Sequence, residues 1–101
     1  MTTWDDVLSR EIPCRRCSGT FRVRGPIAAS DLAEIRTLLE AGMGISAVLT
    51  IREKTGAGLR DAKGMYEHVT IFRGKCRQCG KDLMDGVLSD CDGCDALNID
   101  A

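Results

Sequence analysis

Residues 76–94 read Cys76-Arg-Gln-Cys79-Gly-Lys-Asp-Leu-Met-Asp-Gly-Val-Leu-Ser-Asp-Cys91-Asp-Gly-Cys94 and contain two pairs of cysteines. In each pair two residues separate the thiols, so both side chains of one tight turn can face the same ion. The residues between Cys79 and Cys91 are enough for a short hairpin that links two such turns. The pattern therefore predicts a Zn²⁺ ion in a closed tetrahedral site, and the six cysteines of the chain leave open whether one or two ions bind. The predicted ligands of this site are Cys76, Cys79, Cys91 and Cys94.

The segment between the two pairs predicts a strand, a turn at Asp85-Gly86 and a second strand over residues 81–88. Gly80 and Gly93 can adopt the positive φ values that such cysteine turns require. With these features, residues 76–94 resemble the zinc ribbon family. The resemblance implies a structural metal ion and does not by itself imply an activity.

A third pair, Cys14-Arg-Arg-Cys17, leaves a second assignment of the ligands open. Residues 20–24 and 69–73 alternate between apolar and polar side chains, and we predict two short strands there. Antiparallel pairing of these strands would bring the third pair close to the pair at 76–79. The rival ligand set is then Cys14, Cys17, Cys76 and Cys79. The C-terminal set is favoured because closing a shorter loop costs less chain entropy.

The cysteines also allow a redox interpretation, in which Cys14 and Cys17 form an uncoordinated dithiol. A strand-like run follows this pair, whereas redox dithiols typically precede a helix whose dipole lowers the thiol pKa. The sequence contains no glycine-rich phosphate loop and no nucleophilic triad. A four-cysteine site also lacks the open coordination position of a catalytic zinc, so we expect a protein that is not an enzyme.

Three helical patterns separated by glycines occupy residues 30–69. Ser30 is a predicted N-cap of the first helix, Thr55-Gly56 ends the second, and the third begins near Gly58. Gly64 lies inside the third helix, where glycine is unfavourable, and this predicts close packing at that position.

The second and third helical patterns read Ile45-Ser-Ala-Val-Leu-Thr-Ile-Arg52-Glu-Lys-Thr-Gly-Ala-Gly-Leu-Arg-Asp-Ala-Lys63. This stretch resembles the C-terminal domain of the bacterial ribosomal stalk protein, which has an arginine-bearing helix, a Thr-Gly-x-Gly-Leu turn and a following Ala-Lys. The resemblance implies that the exposed side of the helix pair binds a translation GTPase. The positions carried over as partner-binding residues are Ile45, Val48, Arg52 and Lys63.

The chain departs from the stalk family at two positions where the family usually has lysine, Gly44 and Leu49. The outer strands of that family are not recognisable, and cysteine turns stand in their place. We therefore interpret the helix pair as a motif reused in a protein-interaction adaptor, rather than as a ribosomal stalk subunit.

Composition limits the remaining classes of function. Lys plus Arg number 14 against 15 Asp plus Glu, a net charge of −1, which argues against a strongly basic nucleic-acid protein. Nucleic-acid binding by the cysteine turns is the alternative function, because basic residues flank them and Phe21 and Phe72 could stack on bases. The basic residues are Arg10, Arg15, Arg16, Arg22, Arg24, Arg73, Lys75, Arg77 and Lys81.

The patterns together predict an α+β fold, a small domain of three helices flanked by short antiparallel strands, with zinc knuckles and a C-terminal zinc ribbon. Residues 1–75 form the helical, stalk-domain-like core with the N-terminal CxxC knuckle, and residues 76–101 form the ribbon packed on or beside it. No apolar run approaches the roughly 20 residues of a membrane span. The first six residues do not resemble a secretory signal, so we expect a cytoplasmic protein with reduced thiols.

Overall fold

The computed structural model of the chain describes residues 3–8, 11–14, 20–84 and 86–100. The elements in chain order are α1 (Trp4–Val7), β1 (Glu11–Pro13), β2 (Thr20–Arg22), α2 (Ala29–Glu40), α3 (Gly44–Thr55), α4 (Leu59–His68), β3 (Leu88–Asp90) and β4 (Leu97–Ile99). Strands β1 and β2 form one antiparallel sheet, and β3 and β4 form another. The predicted α+β class is confirmed, with the one-turn helix α1 added to the three predicted helices. Within the described ranges no helix has both the length and the apolar character needed to cross a bilayer.

The three long helices lie where their periodicity predicts them. Gly56 ends α3 in the left-handed conformation (φ 71°), and its amide donates to the Arg52 carbonyl over 2.9 Å. The predicted N-cap Ser30 is wrong, because α2 begins at Ala29 and its N-cap is Ala28. Ile27, which is buried in the core, precedes this N-cap, so the way the chain enters the helix is set by packing rather than by a capping hydroxyl.

One apolar core joins the helices to the C-terminal strand. Its largest fully buried side chains include Leu32 of α2, Ile51 of α3, Met65 of α4 and Ile99 of β4. Trp4 packs against the same core from the N-terminal side. Because β4 contributes to this core, the segment that carries the cysteine turns is packed against the helices.

The strand predicted over residues 69–73 is wrong, and its pairing with residues 20–24, on which the rival ligand set depends, does not form. Strand β2 pairs with β1 instead, with Phe21 opposite Ile12. The backbone of residues 69–70 contacts β4 instead. Val69 forms a bridge with Ile99, and the Thr70 amide donates to the Ile99 carbonyl over 2.9 Å.

The hairpin predicted over residues 81–88 is also replaced by a different arrangement. Strand β3 begins at Leu88 and pairs with β4 across the second cysteine turn. A single antiparallel bridge between Lys75 and Asp82 flanks the first cysteine turn. Each turn therefore closes its own pair of extended segments; Asp85, in the predicted turn, lies outside the described residues.

Gly64 confirms the predicted close packing inside α4. A Cβ atom added there would lie 2.5 Å from Cβ and 2.6 Å from Cγ of Phe21. Glycine at this position lets α4 approach β2, which places Phe21 in the core at 3% exposure.

We expect Gly64→Ala to destabilise the protein by about 1–3 kcal/mol, because the added methyl group overlaps Phe21. Overpacking outweighs the gain of up to ~1 kcal/mol that alanine brings to a helix interior. Urea unfolding followed by circular dichroism measures the difference. Gly58→Ala is the control, since an added Cβ there meets nothing within 4 Å. If both variants lost the same free energy of unfolding, the effect would arise from the backbone and not from the contact with Phe21.

Candidate metal centre and helix groove

The two C-terminal cysteine turns share one backbone hydrogen-bond pattern. In the first turn, the Cys76 carbonyl accepts from the Gly80 amide over 2.9 Å, and the Cys76 amide donates to the Lys81 carbonyl over 2.8 Å. At equivalent positions of the second turn, the same bonds, both 2.8 Å, join Cys91 to Asp95 and Ala96. Each turn thus presents two thiols on a closed loop.

The fourth residue after the first cysteine of each turn adopts a left-handed conformation. Gly80 does so with φ 79°, as predicted, and Asp95 does so with φ 61°. The expectation that Gly93 supplies this conformation in the second turn is wrong, because the pattern places the position at 95. Aspartate is among the few non-glycine residues that tolerate it. Gly93 instead leaves room for the Lys81 side chain, whose Cδ would lie 3.0 Å from an added Cβ.

Facing each other, the two turns bring four sulfur atoms together. The Sγ atoms of Cys76, Cys79, Cys91 and Cys94 all lie within 4.8 Å of one another. Across the turns, Cys76 Sγ is 3.6 Å from Cys94 Sγ, and Cys79 Sγ is 3.5 Å from Cys91 Sγ. A tetrahedral ion with metal–sulfur bonds of about 2.3 Å holds its sulfurs ~3.8 Å apart. The cluster therefore fits a single metal ion that prefers sulfur ligands.

Of the N-terminal pair, Cys14 follows β1 and is buried in the main core, at 3% exposure, rather than in this cluster. Cys17 lies outside the described residues. The cluster thus contains the C-terminal set of predicted ligands. The pairing of β2 with β1 removes the strand contact that the rival set requires.

Hydrogen bonds make the sulfur atoms of the cluster unequal. Burial raises the pKa of Cys76, but hydrogen bonds from the backbone of its own turn and from the Asn98 side chain lower it to about 6. For Cys94, a hydrogen bond from the Ala96 backbone lowers the pKa, yet burial and the neighbouring thiols raise it to about 12. Without a metal the Cys94 thiol therefore keeps its proton at neutral pH, and a divalent cation must displace it, so metal affinity falls as the pH falls.

Asn98 supports the cluster and was not predicted from the sequence. It is fully buried in β4, and its Nδ2 donates to Cys76 Sγ over 3.5 Å and to the Ala96 carbonyl over 3.1 Å. Its Oδ1 accepts from the Arg77 amide over 2.9 Å. One amide side chain therefore ties both turns to the sheet. The feature of the sequence that could have identified Asn98 is a polar residue between two apolar ones, in Leu97-Asn98-Ile99.

Two ion pairs join the flanks of the turns. Lys81 Nζ lies 2.7 Å from Asp92 Oδ1 and so links the first turn to the second. Lys75 pairs with Asp82 beside the first turn. The hydrogen bond with Asp92 raises the pKa of Lys81, and the negative charge of the same carboxylate raises it further. Because four thiolates around a divalent ion carry about −2, Lys81 offsets part of that charge.

Two arginines of the predicted basic surface contact other parts of the protein. Arg24 Nε lies 3.4 Å from Asp61 Oδ2, and Arg77 is turned towards α4. Phe21 is buried at 3% exposure, so the expectation that it stacks on bases is wrong, whereas Phe72 is 60% exposed. Three further arginines, Arg10, Arg15 and Arg16, lie outside the described residues.

An apolar groove of about 360 Å³ lies between α3 and α4. Three of the predicted partner-binding residues line it, Ile45, Val48 and Lys63, and Ile45 is 81% exposed. Arg52 is exposed on the same helix but is not among the lining residues. The remaining lining residues are Gly44, Leu49, Leu59 and Tyr66.

Tyr66 shapes one end of this groove and was not predicted from the sequence. Its hydroxyl packs so closely on the start of α3 that a Cβ at position 44 would lie 2.6 Å from Tyr66 Oη. Any larger residue at position 44 would require the Tyr66 ring to shift. The close packing of the Tyr66 ring on the start of α3 therefore depends on the glycine at position 44.

Comparison with models of known protein families, with curated proteins and with solved structures finds no match for this chain. The fold and the two sites define its class on their own: a small α+β protein with a four-cysteine cluster and an apolar helix groove. The function is therefore inferred from the chemistry of these two features.

Proposed function

We propose that the chain is a non-catalytic, zinc-binding adaptor that binds another protein through the groove between α3 and α4. The observation that carries the proposal is the contiguous apolar surface formed by Ile45, Leu49 and Leu59, each more than half exposed. An exposed apolar patch with a defined hollow is typical of a site where another protein docks. Three of the four positions implied by the stalk resemblance, Ile45, Val48 and Lys63, line the same groove and support this assignment.

Zinc is the proposed ion because four thiolates at these separations suit its tetrahedral, sulfur-rich coordination. Four protein ligands leave no position for a substrate or a reactive water, which favours a structural role. Thiolates of this kind persist in a reducing compartment, and on this ground we place the protein in the cytoplasm.

The proposed partner is a translation GTPase, as the stalk resemblance implies. The groove offers apolar side chains with Lys63 at its margin, and Arg52 lies on the same helix. Apolar contact with peripheral cations fits a folded protein surface that carries carboxylates. Nucleic acid is less well matched, because Phe21 is buried and Arg24 pairs with Asp61.

We expect Ile45→Asp, Arg52→Glu and Lys63→Glu each to weaken binding to a purified translation GTPase by about tenfold or more, as loss of an interface anchor does. The apolar anchor would gain a desolvated charge, and the two cations would repel partner carboxylates. Isothermal titration calorimetry with the full chain measures each affinity.

Met84→Asp is the matched control, since Met84 is 84% exposed and lies outside the groove. It is expected to leave the affinity unchanged. Absence of binding by the parent chain, or equal effects of the groove and control variants, would contradict the proposal. Salt-sensitive binding to RNA that the groove variants leave intact would favour the alternative function.

A further inference from the structure

Arg77 connects the cysteine cluster to the groove. It lies between Cys76 and Cys79 in the first turn, and its guanidinium reaches the end of α4. There Nη1 donates to the Tyr66 carbonyl and, over 3.4 Å, to the Val69 carbonyl. The guanidinium carbon also lies 5.2 Å from the centre of the Tyr66 ring.

These contacts suit an arginine for physical reasons. The last carbonyls of a helix have no partner within the helix, and a cation at this end is favoured by the helix dipole. The planar guanidinium can donate to these carbonyls while it faces an aromatic ring. Arg77 is only partly exposed, so these contacts replace part of the water around its charge.

The main chain of Arg77 is fixed by the cluster itself. Its amide donates to Asn98 Oδ1, and the same Asn98 side chain donates to Cys76 Sγ. Two of the four thiols, those of Cys76 and Cys79, flank Arg77 in the chain. The position from which the arginine side chain extends is therefore set by the geometry of the first turn.

Tyr66, which Arg77 contacts, is also part of the groove. Its ring lines the groove, and its hydroxyl packs against Gly44 at the start of α3. A displacement of the ring would change the hollow beside Ile45. A continuous series of contacts thus runs from Cys76 through Arg77 and Tyr66 to the groove.

We propose that Arg77 is a positioning residue that makes the shape of the groove depend on metal occupancy of the cluster. This inference rests on the zinc site and the docking groove of the proposed function. A bound ion holds Cys76 and Cys79 in one geometry and so holds Arg77 against α4 and Tyr66. Loss of the ion frees the first cysteine turn, and Arg77 then no longer holds the Tyr66 ring in place. Binding of the protein partner is then sensitive to zinc.

Tyr66 is the only tyrosine of the chain, so 3-fluorotyrosine labelling gives a single ¹⁹F resonance that reports the groove. The experiment compares the full chain with and without Zn²⁺, together with Arg77→Met loaded with Zn²⁺. We expect metal removal to shift the parent resonance by more than its line width. Zinc-loaded Arg77→Met is expected to bind the same amount of metal and yet to differ from the zinc-loaded parent.

The control is Arg73→Met, which removes an exposed arginine from the loop before the first turn and is expected to keep the parent resonance. Circular dichroism checks that each zinc-loaded variant retains its helices, so the comparison of zinc-loaded Arg77→Met with the zinc-loaded parent does not depend on the stability of the metal-free chain. If zinc-loaded Arg77→Met shows the parent resonance, the role of Arg77 is overturned while the zinc site stands. If the parent chain binds no zinc, the zinc site fails, and this inference fails with it.

Discussion

Removing the metal with excess chelator is expected to unfold the cysteine turns and to lower the midpoint of thermal unfolding by about 20 °C or more. The segment around the turns has little apolar core of its own: its buried cluster consists of Cys76, Cys91 and Ala96. Its sheet contains three residue pairs. Because structural zinc supplies folding free energy directly, the ion replaces the missing core.

The loss should extend beyond the turns, because Ile99 and Leu97 of β4 are part of the main core. Circular dichroism follows the helices, and fluorescence of Trp4, the only tryptophan, follows the packing of the N-terminal segment on that core. Metal analysis of the same samples relates each transition to the ion. A cooperative transition that is unchanged in excess chelator would contradict a structural metal.

Two variants assign the ligands in the same experiment. Cys91→Ser is expected to reproduce the effect of the chelator, because it removes a buried thiolate from the cluster. Cys14→Ala is the matched control: it also removes a buried thiol, but from the main core, and should keep a single bound zinc ion. Zinc loss from the Cys14 variant would instead support the rival set of Cys14, Cys17, Cys76 and Cys79.

The long helices could be predicted because their signals are local. The apolar periodicity of residues 45–51 and the glycine at 56 act within one or two turns of helix. The start of α2 was misplaced at Ser30, since the capping preference of one residue is weaker than the packing of the neighbouring Ile27. Tertiary contact decides such boundaries.

The strands could not be predicted at the same level, because pairing is decided between distant segments. Residues 69–73 alternate like a strand, yet the partner that Val69 and Thr70 find is β4, thirty residues away in the chain. Strand β1 has three residues and ends at Pro13, which leaves almost no periodic signal. Short strands are specified by their neighbours rather than by their own sequence.

In the candidate site, the spacing of the cysteines is enough to identify the sulfur cluster, since a two-residue separation restricts the geometry locally. The supporting residues have no such signature. Asn98 contacts Cys76 only because β3 pairs with β4, and Arg77 reaches Tyr66 only because the turn packs on the end of α4. Residues that act across the fold therefore require the fold before they can be recognised.

Replacement of Asn98 is expected to have the largest effect on metal affinity of any residue that is not itself a ligand. Asn98→Leu would leave the partly buried Arg77 amide without its acceptor, a loss of about 1–3 kcal/mol in stability, and would remove the donor to Cys76 Sγ. Loss of such outer contacts lowers metal affinity by about 10–100-fold. Competition with a chromophoric chelator measures this affinity, and urea unfolding of the zinc-loaded protein measures stability.

Asn98→Asp separates the two contacts that the amide makes. It keeps an acceptor for the Arg77 amide but places a carboxylate where a donor now faces Cys76 Sγ, so repulsion between like charges should weaken metal binding more than Asn98→Leu does. Ser89→Ala, directly opposite Asn98 in the sheet, is the control and should leave the affinity unchanged. If the aspartate variant binds zinc as tightly as the parent, the hydrogen bond to sulfur contributes nothing to the site, and Asn98 serves the sheet alone.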